Sequence, residues 1–295
     1  MQGCAGKPTI GDCVVTKSAL FFTFSSADDY HYTLLKANGK NFDEIILAVG
    51  GLAENDREGQ ENSRQRVKIF YEDLKLGKSR SYNRAIQNSS SDLTFLISGD
   101  TRFEDNVIES MVQCLGDKYG MAIPRVIPIT GKTLAGRIAQ SMWDFHDTHM
   151  AYNESRGLFF CGGEFQVLRS KYIIMNDRTV NDDEYLCSQT FRSGAGIKYC
   201  RNVIINNFMP ESFGRLMRQR VRVNFGHLQS RKFLGHHSSF TLSALNVADS
   251  IRVVMRFRKE HPGKIMILCL ALIVEVFSIF WAAVLMKSGK DLSVW

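Results

Sequence analysis

Residues 93–101 read LTFLISGDT, a short apolar run broken by one threonine and followed by Ser98, Gly99 and Asp100. An apolar run of this length that ends in turn residues predicts a strand buried on both faces of a sheet. Parallel sheets bind their ligands beyond the carboxyl ends of the strands, which is where Asp100 would lie. Two roles fit this acid: a ligand of a hard divalent cation, or a turn or helix-capping residue.

Similar strands and helices alternate on either side of this run. Buried strands are predicted at 19–24, 44–49, 67–71 and 119–123, and helices at 28–39, 79–88 and 104–115. Residues 52–66 are polar and predict a long surface connection. Because apolar strands that alternate with helices form sheets covered on both faces, the chain is predicted to be an α/β protein with a mostly parallel sheet.

The regularity weakens after Pro128. Helices are predicted at 134–152 and 182–191, and short strands at 197–199 and 203–205. Residues 158–168 form a strand-like run that contains Gly162 and Gly163. A glycine pair inside such a run indicates a bulge or the close approach of another part of the chain.

The most apolar stretch is 265–286, which has one charged residue, Glu275, and is flanked by Lys264 and Lys287. A helix of about 22 residues, rising about 1.5 Å per residue, crosses a hydrocarbon core of roughly 30 Å. A transmembrane helix is therefore predicted there. The predicted regions are an α/β domain at 1–210, basic amphipathic membrane-interface helices at 211–263, the transmembrane helix at 264–287 and a short tail at 288–295.

Positive charge is concentrated just before this stretch. The net charge is +7, and residues 215–232 contain six Lys or Arg and no acid, with a second basic group at 252–264. Basic residues beside an apolar segment favour membrane lipids with anionic headgroups, and no recognition motif supports a nucleic-acid partner. The charge distribution predicts a single-pass protein of the cell membrane with its large domain in the cytoplasm. Residues 1–14 lack the apolar core of a signal peptide, so export of that domain is not expected.

The seven cysteines lie at 4, 13, 114, 161, 187, 200 and 269 and form no C-x-x-C pair. In a cytoplasmic domain, an odd and unpatterned set predicts reduced, mostly buried thiols and no structural zinc site.

A Gly-Lys pair, Gly77 and Lys78, leads into the helix predicted at 79–88. The pair resembles the end of a P-loop, but Glu72 occupies the position of that motif's first glycine, which disfavours a P-loop NTPase. A lysine at a helix N-terminus suits a phosphate or a sugar hydroxyl, and it also suits an ordinary surface position.

Two further segments are rich in charge. Residues 180–186 read VNDDEYL, and adjacent carboxylates repel one another unless they are solvated, bound to metal or used for proton transfer. Acids also stabilise the first turn of a helix, and this role is compatible with a catalytic one. Residues 218–222 read RQRVR, which is by default a solvated basic face but would also suit a diphosphate, because arginine binds phosphate bidentately.

The order and spacing of these segments resemble an inverting family 2 glycosyltransferase of the GT-A fold, over roughly residues 19–230. The segments are GKSRSYNRAI, LTFLISGDT, CGGEFQVLRS, NDDEYL and QRVRV. The resemblance implies a Rossmann-like sheet domain that binds a UDP- or GDP-linked sugar. Residues 25–29 and 48–51 depart from the family's base-recognition sequences, so the nucleotide stays open.

The resemblance also implies which residues bind the donor. Gly77, Lys78 and Asn83 match the segment that holds the donor. Asp100 matches the second acid of the family's D-x-D motif, which contacts Mg²⁺ or Mn²⁺ and the diphosphate. Ser98 stands at the place of the first acid.

The remaining implied roles are catalytic. Asp183, beside Asp182, matches the base that takes a proton from the acceptor hydroxyl in a single in-line displacement. Gln219 and Arg222 match the family's Q-x-x-R-W motif, with Val223 at the tryptophan position, and Arg220 is expected beside them at the donor.

The acceptor is inferred from the apolar stretch. One predicted span and Val223 favour transfer of one sugar to a lipid-linked or membrane-proximal acceptor. The alternatives are the catalytic subunit of a processive polysaccharide synthase and an inactive membrane-anchored protein that binds nucleotide sugars. A lone carboxylate within a span is costly. Glu275 therefore predicts either a partner in a homo-oligomer formed through this helix or a protonated side chain with no role.

Overall fold

The computed structural model of this chain describes residues 9–10, 13–14, 16–24, 32, 42–50, 67–72, 78–87, 89, 91–169, 174–235, 238–243 and 247–293. Its strands are β1 Thr9–Ile10, β2 Cys13–Val14, β3 Lys17–Phe24, β4 Glu44–Gly50, β5 Val67–Glu72, β6 Leu93–Ser98, β7 Thr101–Arg102, β8 Met121–Ile129, β9 Phe165–Arg169 and β10 Ile197–Phe208. Its helices are α1 Lys78–Ile86, α2 Asn106–Leu115, α3 Leu134–Ser155, α4 Asp182–Arg192, α5 Phe213–Leu234, α6 Phe240–Ser243, α7 Val247–Glu260 and α8 Ile265–Lys287.

Eight of these strands form one mixed sheet in the order β5-β4-β3-β6-β9-β8-β10-β7. The pairs β5–β4, β4–β3, β3–β6 and β8–β10 are parallel. β9 runs antiparallel to both of its neighbours, and β7 runs antiparallel to β10. The predicted mostly parallel α/β sheet is therefore confirmed, with two strands running against the common direction.

Two hydrophobic cores cover opposite faces of this sheet. In β6, Phe95 and Ile97 pack in the core that contains α2, whereas Leu96 packs in the core that contains α1, α3 and α4. Successive side chains of a strand point to opposite faces, so a strand covered on both faces is apolar throughout. This arrangement explains the uninterrupted run LTFLI and puts the carboxyl end of β6 at the centre of the domain.

The strands predicted at 19–24, 44–49, 67–71 and 93–97 all agree with the structure to within a few residues. The two short strands predicted at 197–199 and 203–205 are instead one strand, β10, whose register against β8 shifts between Cys200 and Ile204. The irregularity interrupts the periodic pattern without ending the strand. The helix predicted at 28–39, apart from Tyr32, and the connection predicted at 52–66 lie outside the described residues.

The strand-like run at 158–168 is a strand only from Phe165 onward. Gly162 and Gly163 precede it, and each lies where another side chain comes close. A Cβ on Gly162 would lie 2.9 Å from Ile123 Cγ2, and one on Gly163 would lie 2.5 Å from Asp183 Oδ2. The close approach predicted from the glycine pair is thus confirmed.

A disulfide bond joins Cys114 at the end of α2 to Cys200 in β10. The prediction that all the thiols are reduced was wrong for this pair. The two residues are 86 positions apart, and sequence spacing contains no information about a contact that the sheet creates. Cys161 and Cys187 are free and buried, as predicted, while Cys269 is free and exposed.

The C-terminal helices α7 and α8 pack against α3. Phe145 and Tyr152 of α3 contact Val253 and Phe257 of α7, together with Leu268 of α8. Along α8 one face is buried against α3 and α5, whereas the opposite face is exposed and apolar; the exposed large side chains are Met266, Leu270, Ile273, Val276, Phe277, Phe280, Trp281 and Val284. By length and composition, α8 is the one helix among the described residues that could cross a membrane.

Glu275 of α8 has partners within the chain. Its carboxylate contacts the guanidinium of Arg220 and accepts a hydrogen bond of 2.6 Å from Asn224 Nδ2, both on α5. A homo-oligomer was expected because Glu275 was thought to lack a partner. Residues 55 and 51 positions earlier in the same chain supply its contacts, so Glu275 gives no reason to expect an oligomer.

Candidate active site

A cavity of about 1270 Å³ opens at the carboxyl end of β6. Ser98, Gly99 and Asp100 line it, together with the loop before β9, the first turn of α4 and the N-terminal half of α5. This is the edge at which parallel sheets bind ligands. The fold therefore brings residues from four separate segments of the chain to one concave site.

Glu164 is a site residue that the sequence analysis missed. Its backbone carbonyl accepts hydrogen bonds from the Ser98 N–H at 3.0 Å and from the Thr101 hydroxyl at 3.1 Å, which hold it at the end of β6. Burial and the negative charge of Asp100 raise the pKa of Glu164 to about 7. The only signal in the sequence was an acid directly after a glycine pair and before an apolar strand.

Asp183 lies in the first turn of α4 and lines the same cavity. Burial and the negative charge of Asp182 raise its pKa to about 6, and the positive charge of Lys78 partly opposes this shift. A carboxylate with such a pKa is mostly ionised at neutral pH and is more basic than an exposed one. It is therefore suited to accept a proton from a bound hydroxyl.

Lys78 begins α1 and reaches the same group of acids. Its Nζ lies 3.0 Å from Asp182 Oδ2. Burial alone would lower the pKa of this lysine, but the charges of Asp182, Asp183 and Glu164 outweigh it and raise the pKa. Lys78 is thus a permanent cation in the site, and Asp182 is its counter-ion.

Glu184, the third acid of the run 182–184, contacts residues that are not part of the cluster of acids around Lys78. Its carboxylate lies 3.0 Å from His227 Nδ1 and accepts a hydrogen bond from the Ser238 N–H. Burial alone would raise its pKa, but His227, Ser238 and Ser230 outweigh burial and lower the pKa to about 2. Glu184 therefore serves as a buried anion that fixes α4 to α5, while Asp182 and Asp183 face the cavity.

Residues from α5 supply the remaining cations. Gln219 and Arg222 both line the cavity, and Arg222 lies close enough to Asp182, Asp183 and Glu164 to interact with their charges. Burial lowers the pKa of Arg222, against the effect of these acids, and an arginine remains protonated after such a shift. Arg220 also lines the cavity, but its guanidinium is bound to Glu275.

The structure does not bring Asn83 into this cavity. Its Nδ2 donates hydrogen bonds of 2.8 Å to the Met175 carbonyl and to Asp177 Oδ1, while its Oδ1 accepts one from the Met175 N–H. Both ends of the amide therefore hold the segment before α4. Gly77, the other predicted donor contact beside Lys78, lies outside the described residues.

Residues 30–175 match the sequence profile of glycosyl transferase family 2. This chain carries a family 2 glycosyltransferase domain. The matched region includes Lys78, Asp100 and Glu164 and ends before Asp183 and Arg222. The match therefore covers the segments that carry the first three of these residues but not α4 and α5.

The fold of the glycosyltransferase is similar to that of a mannosyltransferase from Pyrobaculum calidifontis, whose structure was determined in complex with GDP-mannose and Mn²⁺. The two sequences are 12% identical and superpose with a TM-score of 0.55, over 93% of this chain and 79% of the other. At this identity the similarity shows a common fold. No protein of curated function matches the sequence.

The acids of the glycosyltransferase fit a cation that arrives with its donor. Among the described residues, no three His, Cys, Asp or Glu side chains converge closely enough to bind a metal by themselves. Mg²⁺ in nucleotide sites usually takes one or two carboxylates and completes its shell with phosphate oxygens and water. Asp100, with Glu164 beside it, provides such a donor set.

Proposed function

We propose that this glycosyltransferase transfers one sugar from a UDP- or GDP-linked donor to a lipid-linked acceptor at a membrane, with inversion at the anomeric carbon. The observation that carries the proposal is the set of side chains around one cavity. Asp100, Glu164 and Asp183 supply carboxylates there, and Lys78 and Arg222 supply cations. A site of this composition suits a donor that carries a diphosphate together with an acceptor that carries a reacting hydroxyl.

In the proposed reaction Asp183 accepts the proton of the acceptor hydroxyl, which in a phosphate-bearing lipid is the P–OH of the monoanion, as the hydroxyl oxygen bonds to the anomeric carbon. The bond from that carbon to the diphosphate oxygen breaks in the same step, which inverts the configuration. Lys78 and Arg222 hold the departing diphosphate through charge-assisted hydrogen bonds. Mg²⁺ or Mn²⁺ bound beside Asp100 would neutralise charge on that diphosphate.

Part of the cavity lining supports an acceptor with an apolar portion. Ala139 and Met142 of α3 and Leu268, Ala271 and Leu272 of α8 contribute apolar side chains to the cavity. An apolar cleft that is continuous with a charged site suits a molecule with a polar head and a hydrocarbon chain. We therefore favour a phosphate-bearing lipid over a soluble sugar as the acceptor.

Two surfaces support attachment to a membrane. The exposed apolar face of α8 is one, and the other is a stripe on α7 formed by Val247, Ile251 and Met255, each more than half exposed. Arg252, Arg256, Arg258, Lys259 and Lys264 accompany them and suit anionic headgroups. We propose that these exposed faces of α8 and α7 anchor the protein to a membrane, with the catalytic domain on the cytoplasmic side.

The proposed activity is tested by incubating the membrane-extracted protein with a panel of UDP- and GDP-sugars, beginning with GDP-mannose, with and without Mn²⁺. We expect slow, cation-dependent release of nucleoside diphosphate from one donor, and proton NMR should show that the first-formed sugar has the inverted anomer. Retention of configuration would contradict single displacement. Donor binding without any turnover would instead identify a binding protein.

The acceptor is tested in the same extract with a polyprenyl phosphate in mixed micelles. We expect the rate of donor consumption to rise several-fold and the product to contain one sugar per lipid, as mass spectrometry would show. A ladder of products with increasing sugar number would favour the processive alternative, and stimulation by soluble glycans alone would remove the lipid acceptor.

A further inference from the structure

A polar contact joins the apolar helix α8 to α5. The carboxylate of Glu275 contacts the Arg220 guanidinium and accepts a hydrogen bond from Asn224, whose Nδ2 also lies 2.8 Å from Ser278 Oγ. The side chains of Glu275 and Arg220 are 14% and 22% exposed. Separating two charges in such surroundings is costly, so the contact fixes both side chains.

This contact constrains the rotation of α5 about its own axis. Residues two positions apart on an α-helix point about 200° apart, so Arg220 and Arg222 lie on nearly opposite sides of α5. Arg220 is bound to α8, while Arg222 lies beside the acids Asp183 and Glu164. Fixing Arg220 therefore fixes the direction of Arg222.

A second contact holds the other side of α5 at the same level. The Asn181 Nδ2 donates a hydrogen bond of 3.0 Å to the Val223 carbonyl, one residue from Arg222. Gly226 lies against Asn181 and has no side chain to separate the helices. The segment that carries Arg222 is thus held between the turn that presents Asp183 and the apolar helix.

We propose that Glu275 is a positioning residue for sugar transfer. By holding Arg220 on α8, it directs Arg222 at the donor diphosphate and keeps a second guanidinium away from that diphosphate. The inference rests on the proposed function, and it makes α8 a part of the catalytic unit as well as an anchor. Because Arg220 lines the cavity, its release would place an additional mobile cation beside the substrate.

The experiment compares Glu275→Gln with the wild type, using the donor found active in the panel and measuring turnover and donor binding separately. Glutamine keeps the size of the side chain and removes its charge. We expect kcat to fall about 10- to 100-fold, because small displacements of a catalytic group have effects of this size. The donor Kd should stay within about threefold, which a general loss of structure would not allow.

Four further variants separate positioning from folding. Glu275→Asp keeps the charge and should recover a large part of kcat. Arg220→Gln combined with Glu275→Gln should be no slower than Arg220→Gln alone, because the pair acts as one unit. Glu44→Gln is the matched control: its carboxylate pairs with Lys68 at 2.7 Å and its side chain is 15% exposed, but it lies on β4. It should leave kcat within about twofold.

The proposal would be overturned if Glu275→Gln kept kcat within about twofold of the wild type, or if the losses in the two single variants multiplied in the double variant. An equal loss of kcat and donor binding, together with a lower Tm, would show a merely structural role. If Glu275→Gln does not fold, Arg220→Lys replaces it with the same expected separation of kcat from Kd. An inactive wild type would refute the proposed function instead, while wild-type turnover with unaffected variants would refute only the role of Glu275.

Discussion

At the scale of single residues, Asp183 and Glu164 are two acids in one cavity whose pKa values are both raised, to about 6 and about 7. They differ in the neighbouring charge that raises the pKa of each. Asp183 has Asp182 and Lys78 beside it, whereas Glu164 faces Asp100 at the end of β6. These environments are consistent with the proposed roles, Asp183 at the acceptor hydroxyl and Glu164, with Asp100, on the cation side of the donor.

The raised pKa of Glu164 predicts a pH dependence of stability. The pKa of Glu164 is 4.5 in the unfolded chain and about 7 in the folded protein. Between these two pH values the folded protein holds a proton that the unfolded chain has released. The stability of the ligand-free protein therefore falls as pH rises through this window. In Glu164→Gln this contribution is absent, so the Tm should decline less steeply from pH 4.5 to 7 than in the wild type. Parallel Tm curves would show that folding does not raise the pKa of Glu164.

Gly163 predicts a second effect at this scale. A Cβ at this position would lie 2.5 Å from Asp183 Oδ2, so Gly163→Ala should displace the carboxylate. We expect turnover to fall about 10- to 100-fold. The control is Gly214→Ala in the first turn of α5, where a Cβ would meet only Arg218 Nη1, at 4.0 Å. Equal activities of the two variants would show that Asp183 does not need its present position.

At the scale of elements, the sequence predicted the central strands well because they are buried on both faces and apolar throughout. It predicted α4 from its acidic first turn and the location of Asp100 from its place after a strand. The roles of Asp100 and Asp183 came from the family resemblance and stay predictions. The sequence analysis missed Glu164 because that acid lies in a loop inside an apolar run. The sequence also led to Arg220 being placed at the donor. Its contact with Glu275 joins residues 55 positions apart, and no local pattern in the sequence indicates such a contact.

The packing of α4 on α5 depends on Gly226. A Cβ there would overlap the side chain of Asn181, which directly precedes α4 and donates a hydrogen bond to the Val223 carbonyl. Gly226→Ala should separate the helices and reduce the free energy of unfolding by about 1–3 kcal/mol, as overpacking usually does. Chemical denaturation measures the loss. A gain in stability, as expected of alanine in an unconstrained helix, would show that the helices are not in close contact.

At the scale of the whole molecule, α8 belongs to the folded domain. Its buried face covers Ile138 and Ala139 of α3 and Leu216 of α5, and Glu275 pairs with Arg220. Ending the chain at residue 263 would expose this apolar surface and leave Arg220 without its partner. We therefore expect the truncated protein to aggregate or to lose activity, as size-exclusion chromatography and donor turnover would show. A soluble, monomeric and fully active truncation would mean that α8 is only an anchor.

Above all, we propose that Asp183 is the base of a sugar transfer performed in this cavity. The most direct test measures donor turnover and donor binding for Asp183→Asn, which keeps the shape of the side chain and removes its basicity. The account predicts that turnover falls by about 10²- to 10⁴-fold, the usual contribution of a general base, while calorimetry with Mn²⁺ gives a donor Kd close to that of the wild type. Turnover at a near wild-type rate by this variant would contradict the account.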